Sequence, residues 1–81
     1  MTDDDGAGDA ALAQAVRAAR AHADAATQIA RFLDRMGTVP DPAGVAEYAS
    51  LLAREELTRD DRTSALRAAG LDVPSLDPEA A

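Results

Sequence analysis

The chain has 81 residues, and 21 of them are alanine, so its 47% hydrophobic content leaves 17 larger apolar side chains, with one Phe, one Tyr and no Trp. That is material for one small domain with a thin core, and the absence of cysteine excludes both disulfides and thiolate metal sites. The formal charge of −7 sits at the ends: residues 1–9 carry −4, residues 70–81 carry −3, and residues 10–69 sum to zero.

The opening MTDDDGAGD combines like charges with glycine and reads as a disordered acidic tail over residues 1–9. Ten alanines between Ala10 and Ala26 then specify a helix, capped by Asp9 and running to about Met36. Gly37 is expected to supply a left-handed stop, with Pro40 beyond it and Arg31 and Arg35 near the last turn, where cations are favoured. Asp41-Pro42 opens a second helix, Asp as cap and Pro at the first helical position, reaching roughly Glu55. Thr58 with Asp61 three residues on resembles a capping box and is expected to start a third helix, ended by Gly70 with Leu71 turned back onto Leu66. No β-alternation of useful length occurs. The predicted fold is all-α, a three-helix domain over residues 10–76. Val73 and Leu76 are possible anchors in it, and a frayed tail over residues 77–81 follows it.

Within the first helix, Leu12, Val16, Ala19, Ala23, Ala26, Ala30 and Leu33 follow one another at alternating steps of four and three, the spacing of a coiled-coil seam. Ile29, Phe32 and Met36 widen that face toward its C-terminal end. A helix of about 40 Å cannot be covered by two short ones, so the stretch Leu12, Val16, Ala19, His22, Ala23 and Ala26 is expected to be an interface, most simply a homodimer contact. His22, the single histidine, falls near the middle of the apolar face with only alanines one turn away. It is expected to be packed and bonded to one polar group, or else to make the interface sensitive to pH. Arg17, Arg20, Arg31 and Arg35 line the opposite side. They read as a solvated face with local pairs Arg20–Asp24 and Arg31–Asp34, or as a stripe facing an anionic partner.

These residues narrow the function classes. There is no Gly-rich phosphate loop, no lysine and no serine beside a base in any catalytic motif, so no catalytic, cofactor-binding or metal-binding residues are assigned, and an enzyme is not expected. The second and third helices could form a helix-turn-helix, but Asp60 and Asp61 stand where base-reading residues belong, and a neutral body lacks the footprint for nucleic acid. The chain opens without a basic region and apolar run, and arginines interrupt every apolar stretch. Neither a signal peptide nor a membrane span is expected, and the protein reads as soluble and cytoplasmic. The expected function is a small helical protein–protein interaction module that self-associates through its first helix. Two alternatives are an acidic, antitoxin-like inhibitor of a basic partner and an accessory subunit of a larger enzyme complex.

Overall fold

The computed structural model describes residues 2–37 and 39–71, with side chains from residue 8 onward. It is all-helical among these residues, as the composition predicts, but it has two helices where three were expected: α1 (Thr2–Arg35) and α2 (Pro42–Ala68). They run antiparallel as a hairpin measuring 59 × 33 × 16 Å.

Residues 2–9, read above as a disordered tail, form the first two turns of α1. Asp9 therefore lies inside the helix and caps nothing. The alanine run propagates helix in both directions, and carboxylates in a first turn are favourably placed against the positive end of the helix dipole. At the other end, Arg35 occupies the last turn as expected. Gly37 is not the left-handed stop assigned to it; among the described residues only Gly70 has a positive φ, at 83°.

Asp41 caps α2 as its sequence predicts. Its backbone is extended, its Oδ1 accepts the Gly44 N–H at 2.7 Å, and Pro42 follows in the first turn. The C-terminus closes as a Schellman motif: the Gly70 N–H donates to the Arg67 carbonyl at 3.0 Å and the Leu71 N–H to the Leu66 carbonyl at 2.8 Å. Gly70 alone can adopt the required left-handed backbone without a Cβ penalty.

The break expected between Glu55 and Thr58 does not exist. Thr58 is a buried mid-helix residue, and its hydroxyl donates back to the carbonyls of Arg54 and Glu55 at 2.9 and 3.0 Å. A hydroxyl satisfied in that way has no need of a helix start. No Pro or Gly lies between Val45 and Ala69, so nothing in the local sequence forces a stop. α2 continues through Glu56, which is exposed because α2 faces α1 through a different side.

The contact between the helices is narrow. Ala15, Ala18, Ala25, Phe32 and Ala65 are its buried apolar residues, with Leu66 and Ala69 packed partly against the alanines. Positions 11, 15, 18, 22, 25, 29, 32 and 36, along α1 and just past its end, and 44, 51, 55, 58, 62, 65 and 69, along α2 and just past its end, form two rows of less exposed residues, with 19, 52 and 66 half-exposed beside them. Both sets follow the steps of an antiparallel coiled coil. Among the described residues Phe32 is the one large buried side chain, 4% exposed, stacked on Tyr48 with ring centroids 6.1 Å apart. Gly44 keeps the cap beside this stack clear: a Cβ at that position would come within 2.9 Å of Asp41 Oδ1, while Phe32 Cζ would stand at an ordinary 4.0 Å.

Candidate functional site

Among the described residues the interior of the hairpin carries a polar crossing. His22 Nε2 stands 2.8 Å from Glu55 Oε2, between side chains that are 17% and 12% exposed. An ionised carboxylate only accepts, so Nε2 carries the proton that forms this bond. Arg59, one turn further along α2, grips the same carboxylate twice, through Nη2 to Oε1 at 2.6 Å and Nε to Oε2 at 3.1 Å. The bond from His22 and then those from Arg59 hold the Glu55 carboxyl below its ordinary pKa against the opposing effect of burial. Glu55 in turn raises the guanidinium of Arg59. In the next turn Arg62 is half-buried, and its Nε is enclosed without an acceptor among the described residues. This arrangement fixes the register of the two helices. The Thr58 hydroxyl, one turn along α2 from Glu55, is committed to backbone carbonyls.

The predicted interface residues fall into two groups. His22 lies in the seam between the helices. Leu12, Val16, Ala23 and Ala26 are exposed and Ala19 is half-exposed, all on the side of α1 one residue round from the seam. One residue is about 100° of helix rotation. Leu12, Val16 and Leu33 are 51%, 42% and 48% exposed there. α2 continues the same side with Val45, 57% exposed, and with Leu52 and Leu66 half-exposed. Leu33 and Val45 meet at its loop end around a shallow apolar hollow of about 200 Å³ that Phe32, Met36 and Tyr48 also line. The result is a side that is apolar along α1 and toward both ends of α2, with the exposed Glu56 and Arg59 of α2 between.

The opposite side is mostly polar, with Leu57 of α2, 63% exposed, among its residues. An open trough of about 610 Å³ runs between Gln14 and Arg17 of α1 and Asp61 and Ser64 of α2. All four arginines of the predicted stripe are exposed. Arg17 donates to Gln14 Oε1 at 2.7 Å, and Arg35 reaches Glu47 at 3.3 Å while lying 5.8 Å over the Phe32 ring. The expected pairs Arg20–Asp24 and Arg31–Asp34 do not form among the described residues. No group of three or more metal-ligating side chains occurs among them, and none of their helices is long and apolar enough to cross a membrane.

Sequence reasoning missed Glu55 as the partner of His22 and did not assign the run from Ala11 to Phe32 as the hairpin contact. The run from Ala11 through Ala15, Ala18, His22, Ala25 and Ile29 to Phe32 has the same spacing as the run from Leu12 to Leu33, and alanine gives both the same appearance. The discriminating signal was on α2, where Glu55, Thr58 and Arg62 recur at seam spacing and need a polar residue opposite; only the run containing His22 supplies one. No protein family, no curated protein and no solved structure matches the chain.

Proposed function

We propose that this protein is a non-catalytic helical interaction module that self-associates through the apolar side of its hairpin. The observation that carries this reading is the imbalance between core and surface. Among the described residues one large apolar side chain, Phe32, is buried, whereas Leu12, Val16, Leu33 and Val45 lie exposed on one side and Leu57 on the other. Exposed apolar residues scattered singly are ordinary, but a contiguous patch on so small a body marks a contact surface. The side is roughly 30 Å long and two helices, about 20 Å, wide, so pairing two copies would bury on the order of 1,200 Å², within the range of specific interfaces.

The neutral middle and acidic ends fit a protein whose own body is not repelled by a second copy. An acidic inhibitor of a basic partner and an accessory subunit of a larger complex use the same surface with a different occupant. The test is substitution within the patch: Ala19→Glu with Ala23→Glu places charges on it without touching the hairpin seam. Light scattering behind a sizing column should then report one chain where the parent reports two, with circular dichroism showing unchanged helix. A parent that elutes as one chain, or a variant that stays paired, would refute self-association through this side.

A further inference from the structure

Resting on that reading, we infer that the second copy binds with its α1 lying along the α2 of the first, in a four-helix bundle whose two-fold axis runs parallel to the helices. The patch lies about 100° round α1 from the seam, close to the right angle at which each helix of a square bundle meets its two neighbours. Two face-to-face arrangements of hairpins keep all adjacent helices antiparallel. In one, α1 covers the partner's α2. In the other, α1 covers the partner's α1 and α2 covers the partner's α2.

Side-chain volumes decide between them. The levels set by the His22–Glu55 and Phe32–Tyr48 contacts bring Leu33 beside Val45, as the shared apolar hollow shows. They also bring Ala26 level with Leu52, and Ala23 and Ala19 level with Glu56 and Arg59. When α1 covers a partner's α2 these levels are kept across the interface. The alanines then lie under the long side chains of the other copy, whose stems can pass over them and carry their charges to water, while leucine and valine meet at the ends. In the other arrangement alanine stacks on alanine along one half and long side chains oppose one another along the other half. That pulls one helix pair together and pushes the other apart, and it sets the two Glu56 carboxylates against each other at the axis, a like-charge contact inside an interface.

The favoured arrangement places the acidic starts of both α1 helices at the same end. They stand diagonally opposed, about 14 Å apart for helices 10 Å from their neighbours, beyond the screening length of about 8 Å at physiological salt. The repulsion is therefore the smaller effect.

The chain has no cysteine, so single cysteines introduced at alanines report proximity directly. Ala30→Cys and Ala49→Cys chains are mixed in equal amounts and oxidised, with a mass tag on one to identify mixed products. The inference expects the mixed disulfide to accumulate toward the half of all dimers that are heterodimeric. Ala23→Cys alone should not link, because the two copies of residue 23 then lie farther apart than the roughly 7 Å limit between Cα atoms that a disulfide tolerates. Linking of Ala23→Cys without the mixed product would overturn this arrangement and leave self-association standing. A dimer by sedimentation that gives neither product would overturn both, since the contact would lie on another surface. A single-chain mass would remove the reading on which the inference rests.

Discussion

Glu55 is the residue on which the interior of the hairpin turns, because His22 from one helix and Arg59 from its own both bond to its carboxylate. Its pKa is lowered in the fold, so the folded chain binds that proton less readily than the unfolded one. Its contribution to stability is then complete above the ordinary glutamate value of about 4.3 and is lost as pH falls through the lowered folded value. Thermal melts should show the midpoint falling with acidification below about pH 4.3, with Glu55→Gln giving a shallower decline. Neutralising the acidic ends acts in the opposite direction in both proteins, so the difference between them isolates Glu55, and parallel curves would contradict its role. Arg62 is the complementary case, a half-buried side chain whose Nε has no acceptor among the described residues. Replacing a buried donor that lacks a partner by an apolar chain of similar length removes its desolvation cost. Arg62→Met should stabilise by about 1 kcal/mol, read as a rise in denaturation midpoint; a fall would mean the guanidinium contributes a contact worth more than that cost.

At the scale of elements, what was legible in the sequence was local. The Asp41-Pro42 cap, the Gly70 stop and the cation in the last turn of α1 are each decided within four or five residues, and the structure shows all three. What was not legible depended on residues far apart. Thr58 and Asp61 resemble a helix start when read alone, and only the packing of α2 against α1 shows Thr58 to be an interior seam position. The phase of α1 was hidden for the same reason, since alanine at both candidate runs leaves the choice to a histidine whose partner is 33 residues away. The continuity of α2 is directly testable. Arg59→Pro would be tolerated as the first residue of a new helix, but inside an unbroken one it costs about 3 kcal/mol or more. Arg59→Ala removes the exposed side of the Glu55 pair without breaking the helix and should cost far less than the proline. A proline variant as stable as the alanine variant would restore the three-helix parse.

For the molecule as a whole, charge and shape separate cleanly. The residues that hold the hairpin together lie in a neutral middle, while the first nine residues carry a charge of −4 at the start of α1, which outruns the seven-residue-shorter α2 by about 10 Å. Two copies that place these starts at one end should pair more tightly as salt rises from low concentration, because screening weakens their repulsion more than it weakens an apolar contact. Deleting residues 1–8 should flatten that dependence and leave the thermal midpoint of the hairpin nearly unchanged. The central claim is that the exposed side of this hairpin is covered by a second copy, and sedimentation equilibrium of the unaltered chain tests it most directly. Each chain weighs 8.4 kDa. At about 100 μM, well above the dissociation constant of an ordinary apolar interface, the account predicts a mass of two chains that declines toward one on dilution. A mass of one chain at that concentration would contradict it.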